Sequence, residues 1–293
     1  MKRCHLFRSF AYPILLAAVI LATGCAKENT TEPTQNSQVS ANSDAAESIA
    51  SAVGENTGGT IDQMGDLLSL ASAEEYTGLA KDVSDSGVES REVTYDPITG
   101  TWTVKLERER GTPGGSHYAL IERTYTYQYL SLAGQPQQHW ITEGDTARTI
   151  LFNVIEAAGR HKTPRLSQAL RSLDANLTAT GCNTPLITIN GSYSRAAVDT
   201  ITTQKMVRTH DHELSLTMTD LQGPRGSRLN FAEKLSGTIS GSYHALVTFT
   251  RGDAYSEKEI DRDFTIDLSA GSGELHLAGL KRQIDLFWGL VKE

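Results

Sequence analysis

Part of this chain repeats itself at an offset of 50 residues. Thr188-Ile-Asn-Gly-Ser-Tyr193 aligns with Thr238-Ile-Ser-Gly-Ser-Tyr243. At the same offset, His210-Asp-His-Glu-Leu-Ser-Leu216 aligns with Ile260-Asp-Arg-Asp-Phe-Thr-Ile266. Both halves of each copy read as strands, so the repeated unit is a long β-hairpin, over 187–219 and again over 237–269. A hairpin buries only one face, and repeated hairpins must lie side by side to share a core. A weaker echo sets Gly115-Ser-His-Tyr-Ala-Leu120 against Gly241-Ser-Tyr-His-Ala-Leu246.

The residues before the repeat have the same texture. Glu92 to Tyr95 runs into the turn signal Asp96-Pro-Ile-Thr-Gly100, and Trp102, Val104 and Leu106 then alternate onto one face. His117 to Leu132 is a long run rich in Tyr, Thr and Ile. Residues 145–175 carry two signals. Ile150, Leu151, Val154 and Ile155 have helical spacing, and Thr163-Pro164 reads as an N-cap with proline at the first helical position. The β-branched content near Thr149–Val154 and the β-rich surroundings point to two more strands, which is the reading adopted. Strands over Glu274–Leu277 and Gln283–Leu290 complete the pattern. The expected fold is mainly β. An antiparallel meander spans 91–293, folded as a sandwich or a partly closed barrel.

Ahead of it the pattern changes. Residues 44–53 and 60–71 read as helices, the second with Ile61, Met64, Leu67, Leu68 and Ala71 on one face. Gly58-Gly59 separates them. With the polar, Ser/Gly-rich loop expected over 72–90, the region 44–90 forms a helical collar docked on the β domain. Residues 26–43 contain Val39 as their only aliphatic side chain larger than alanine. This composition cannot bury a core and predicts a disordered tether with a mean reach of about 25 Å.

The first 24 residues pair a basic head (Lys2, Arg3, Arg8) with an apolar run from Ala11 to Ala22. The run is shorter than the roughly 20 residues a membrane span needs, and it fits a signal peptide. It ends in Leu21-Ala22-Thr23-Gly24-Cys25, which resembles the lipobox of bacterial lipoprotein precursors. The resemblance covers residues 1–25. It implies cleavage of 1–24 and acylation of Cys25, so that 25–43 becomes a lipidated tether. Ala26 after the cysteine is similar to the outer-membrane pattern, because an Asp there marks inner-membrane retention in many Gram-negative lipoproteins. Beyond that segment, the chain resembles uncharacterised outer-membrane lipoproteins.

Charge and cysteine usage agree with an envelope setting. The net charge is −8, and removal of Lys2, Arg3 and Arg8 with the leader makes it more negative. Such a chain is a poor partner for nucleic acid. It also repels anionic headgroups, so membrane attachment must come through acyl chains. Of the three cysteines, Cys4 leaves with the leader and Cys25 carries lipid. Cys182 then has no partner for a disulfide within the chain.

Candidate sites are sparse. His210 and His212 project from the same strand face, with Cα atoms about 7 Å apart, a spacing that can serve a metal. The aligned copy carries Ile260 and Arg262, so the scaffold itself does not require imidazole there. No third ligand is identifiable, and the competing reading puts both histidines on an exposed face. No metal or other cofactor is therefore expected. Glu259, Asp261 and Asp263 line one strand face and read as a charged solvent surface. Arg251-Gly252-Asp253 reads as a turn. Tyr125, Tyr127 and Tyr129 share a face that could bind glycan or pack. Hydrolase, nucleotide-binding and zinc-protease signatures do not occur.

The expected protein is thus a lipid-anchored cell-envelope module at the outer membrane. It binds or supports noncatalytically, and its partners are the membrane and another envelope protein. The alternatives are an accessory subunit of an outer-membrane complex and a hydrolase acting on envelope glycans. Paired carboxylates in a cleft would favour the hydrolase.

Overall fold

A computed structural model describes residues 35–72, 89–203, 206–226, 232–251, 254–269 and 271–292. The leader, Cys25, residues 26–34 and the expected loop over 73–88 lie outside the described residues. So does the Gly252-Asp253 pair of the RGD tripeptide.

Two helices come first, α1 (Gln35–Val53) and α2 (Thr60–Ser69). The strands follow: β1 (Glu89–Asp96), β2 (Thr101–Gly111), β3 (Tyr118–Leu130), β4 (Pro136–Gln137), β5 (Ile141–Thr142), β6 (Asp145–Thr146), β7 (Thr149–Lys162), β8 (Leu166–Thr180), β9 (Leu186–Thr202), β10 (Val207–Pro224), β11 (Ser236–Arg251), β12 (Ala254–Ser269), β13 (Ser272–Leu277), β14 (Leu280–Asp285) and β15 (Leu290–Lys292). Apart from the β5–β6 pair, they form one antiparallel meander. Its order runs β1-β2-β3-β7-β8-β9-β10-β11-β12-β13-β14-β15, with β4 beside β3. The sheet is continuous and open, with edges at β1 and β15. It does not close into a barrel.

The repeat is the pair of hairpins β9–β10 and β11–β12. Its Gly-Ser-Tyr motif now has a physical meaning. A Cβ on Gly191 would overlap the Asn176 carbonyl oxygen of the neighbouring strand. One on Gly241 would overlap the Ser215 carbonyl oxygen in the same way. Both glycines permit a close strand approach that a side chain would block. Two residues on, Tyr193 and Tyr243 are buried in equivalent inward positions. The Gly115 echo has no such counterpart, since it lies in the loop before β3 whereas Gly241 is inside β11.

Residues 145–175 are strands, because β7 and β8 gain partners on both flanks. The local helix-start signal survives as a turn cap, in which Thr163 Oγ1 accepts from Leu166 N at 3.0 Å. The expected strand over Gln283–Leu290 is broken. β14 ends at Asp285, whose carboxylate accepts from Phe287 N at 2.7 Å, and Gly289 turns with φ +61.

The helices lie within the curve of the sheet, and every residue of α2 from Thr60 to Leu68 is buried. Residues 35–43, expected in the tether, belong to α1, and Ala41 is fully buried. The helix–helix linker ties to the far end of the sheet. Glu55 N donates to Leu286 O and Asn56 N to Phe287 O, both at 2.8 Å. A Cβ on Gly289 would sit 2.6 Å from Ala50 O, so the β14–β15 turn rests directly on the α1 backbone.

The core fills the space between helices and sheet. Ile49, Met64, Leu67 and Leu68 meet Phe152, Ile189, Leu216, Ile239 and Ile266. Tyr125, Tyr127 and Tyr129 pack within it, and the Tyr129 hydroxyl donates to Leu70 O at 2.9 Å. The outward face carries exposed Glu107, Glu122, Asp174, Glu213, Glu259 and Asp263. A lipid-facing strand surface is apolar, so this one is built to face water. No helix among the described residues is long and apolar enough to cross a membrane.

Candidate functional site

The interior is unusually polar, and α1 is the reason. Asp44, Ser48 and Ser51 recur at helical spacing, so they share a face one above another. All three are buried against the sheet. Asp44 takes a hydrogen bond from Arg208 at 2.7 Å and lies 3.5 Å from His210 Nε2. His210 Nδ1 is 3.0 Å from the Tyr243 hydroxyl. His212 Nε2 sits 3.1 Å from Asp199, which also bonds Ser48. Burial opposes ionisation of Asp199, but His212 beside it and the bonds from His212 and Ser48 hold its carboxyl below the usual range. Asn42, one turn before Ala46, accepts from Arg262 at 2.8 Å.

His210 and His212 therefore point inward on the face shared with Leu214, Leu216 and Met218. The expected exposed face for the two histidines is thereby corrected, since both are buried. Each imidazole faces a different carboxylate, and each is paired with the protein's own groups. The aligned Arg262 also reaches α1, so this level of both hairpins serves to hold the helix. Glu259, Asp261 and Asp263 are exposed on the outer face, as expected. Cys182 is fully buried, and burial pushes its thiol up to about 12.

A second polar cluster anchors α2. Arg108 is fully buried and reaches Asp62 at 2.6 Å, Asp66 at 2.8 Å and Glu89 at 2.6 Å. Arg123 bonds the same two aspartates. Burial works against the Arg108 charge, but Asp62, Asp66 and Glu89 outweigh it and raise its pKa well above the ordinary value. Asp62 and Asp66 are one turn apart on α2, so one helix face presents both carboxylates.

The space open to a ligand lies at one end of the fold. A groove of about 970 Å³ runs between α1, the β7–β8 turn and β14–β15. Glu47 and Ser51 of α1 contribute to its lining, with His117, Arg165, Arg282 and Leu290 opposite. Glu47 pairs with Arg165 at 2.9 Å and is the only carboxylate among the lining residues. Arg282 and Lys292 add positive charge, while that of Lys281 is engaged by Glu274 at 2.7 Å. Arg282 shares the inward face of Ile284, and neither it nor Lys292 has an ion-pair partner among the described residues. For a chain of net charge −8, this is a locally basic cleft.

Ser51 Oγ lies 3.0 Å from His161 Nδ1 and 3.4 Å from Gln168 Oε1. The pair lacks the features of a nucleophile and base. Ser51 is 1% exposed, and no carboxylate bonds His161 among the described residues. Burial, followed by the nearby Arg195, pushes the imidazole down to about 4. On the outer face, Asp267, Glu274 and His276 gather three possible ligand atoms within 4.8 Å, but Lys281 already binds Glu274 at 2.7 Å.

Comparison of the chain with protein-family models, curated protein sequences and solved structures finds no match in any of the three.

Proposed function

We propose that this protein is a lipid-anchored module of the bacterial cell envelope that binds its ligand noncatalytically in the end groove. The reading of Cys25 as the acylated residue supplies the anchor and an outer-membrane location. The groove supplies the binding surface, and its lining carries the argument. A glycosidase needs two carboxylates flanking the scissile bond, whereas this cleft offers Glu47 alone, engaged by Arg165. Excess cationic side chains at a concave surface focus a positive potential and favour an acidic ligand.

Two experiments test the halves of this reading. Cys25→Ser moves the protein from the membrane to the aqueous fraction and abolishes palmitate labelling. Retention in the membrane refutes the anchor. A photocrosslinking residue at Gln283, on the groove rim, captures a ligand in intact cells, while one at Glu213 on the outer face does not. Equal capture at both positions refutes the groove as the binding surface.

A further inference from the structure

Behind the outer wall, a small cavity gathers polar atoms that the groove and the helix networks leave unused. The β7–β8 ladder pairs Val154 with Ala175, then resumes at Gly159 with Leu170, leaving four residues on each strand unpaired between them. A bulge flanks the gap on either side. Ile155 is the extra residue of β7 against β3, and Arg171 that of β8 against β9. Both bulged residues point outward and are exposed, and Arg171 is held there by Asp211 at 2.7 and 2.8 Å. Bulges of this kind bend a strand away from its partner, and here the two together part the wall.

Inside the gap lies a cavity of about 20 Å³, lined by Ala157, Gly159, His161, Gln168 and Arg195, with Arg123 above. That is room for one atom or one water, given that a water needs roughly 10–15 Å³. Arg195, Gln168 and His161 are 5%, 3% and 2% exposed. Arg195 donates to Gln168 Oε1 and to the Tyr193 hydroxyl at 3.4 Å, but its Nε has no partner, and no carboxylate pairs with it among the described residues. Gln168 Nε2 and His161 Nε2 also lack partners. Arg123, in contrast, has its charge balanced by Asp62 and Asp66.

Asp199 feels the Arg195 charge but is engaged by His212 and Ser48 and makes no ion pair with it. A buried guanidinium without a direct ion pair is costly, and an anion joining it offsets that cost. We infer that this cavity is a binding site for one small monovalent anion of the halide class, entering through the gap between β7 and β8. The Arg195 Nε–H and the Gln168 amide N–H are its donors. His161 supplies a third when Ser51 donates to Nδ1 and the proton sits on Nε2. A carboxylate or phosphate is too large for the space. The site is separate from the groove and stands whether or not the groove binds a ligand.

Bromide is the direct probe. Crystals of the protein soaked in bromide give an anomalous peak within hydrogen-bonding reach of Arg195 Nε and Gln168 Nε2. At fixed ionic strength, replacing gluconate by chloride raises the melting temperature by about 3 °C at concentrations well above Kd, while sulfate gives no such rise. Gln168→Glu places a fixed carboxylate against Arg195, so the variant folds but loses both the bromide peak and the chloride response. An ordered water in place of bromide, equal melting in chloride and gluconate, or a full chloride response in Gln168→Glu overturns the assignment.

Discussion

His161 makes the stability of this fold depend on pH in a defined window. Its pKa falls from an ordinary 6.5 to about 4 on folding, first through burial and then through repulsion from Arg195. Between those values the unfolded chain binds a proton that the folded chain refuses, so stability rises with pH. The contribution is complete above about 6.5 and is lost as pH falls toward 4. A shift of this size corresponds to about 3 kcal/mol, a large share of the roughly 5–15 kcal/mol of a typical fold. With a urea m-value of about 2–3 kcal/mol/M, the unfolding midpoint drops by about 1 M between pH 7 and pH 4. Urea titrations at half-unit intervals measure this directly. Asp199 has the same sign at lower pH, since its contribution is lost only as pH falls through its depressed folded value. His244 has the opposite sign. Its pKa is raised by its bond to Asp261, so its contribution is present below the unfolded value and lost as pH rises through the folded one. His161→Gln isolates the effect, because it removes the buried titration and leaves the other groups in place. Its midpoint should be nearly flat from pH 6.5 to 4.5. Parallel slopes in the variant and the parent would refute the reasoning.

Three further outcomes follow from the packing. Asp62→Ala leaves Arg108 and Arg123 short of a buried partner and should cost about 3–5 kcal/mol, read as a fall in urea midpoint. Gly289→Val forces a branched side chain into a left-handed turn 2.6 Å from the Ala50 carbonyl at the Cβ position. A loss of more than about 2 kcal/mol is expected there, and an unchanged melting temperature would contradict the contact. Cys182, buried and with its thiol pushed up to about 12, should react with an aromatic disulfide reagent only after unfolding. Stoichiometric labelling of the native protein at neutral pH would show that the site is open.

The sequence itself determined the sheet. Strand content, the antiparallel order and the two repeated hairpins follow from alternation and turn residues, which are local properties. The glycines of the Gly-Ser-Tyr motif were visible as a repeat before their role in close strand approach was known. Helices over 44–53 and 60–71 were legible too, the second through its apolar face.

Tertiary structure alone decided what the concave face holds. Periodicity counts apolar residues as inside and polar ones as outside. In this fold Asp44, Ser48, Asp62, Asp66, Arg108, Asp199, His210 and His212 are all inside. Each is acceptable there because a group distant in sequence answers its charge or hydrogen bond: Asp44 by Arg208, Asp62 by Arg108 and Arg123, Asp199 by His212. The same blindness placed the start of α1 in the tether, since residues 35–43 lack the aliphatics that mark a core. Their ordering comes from Ala41, which is fully buried, and from Asn42 bonded to Arg262, 220 residues away. Long-range pairing of polar groups has no period along the chain, so only the folded arrangement reveals it.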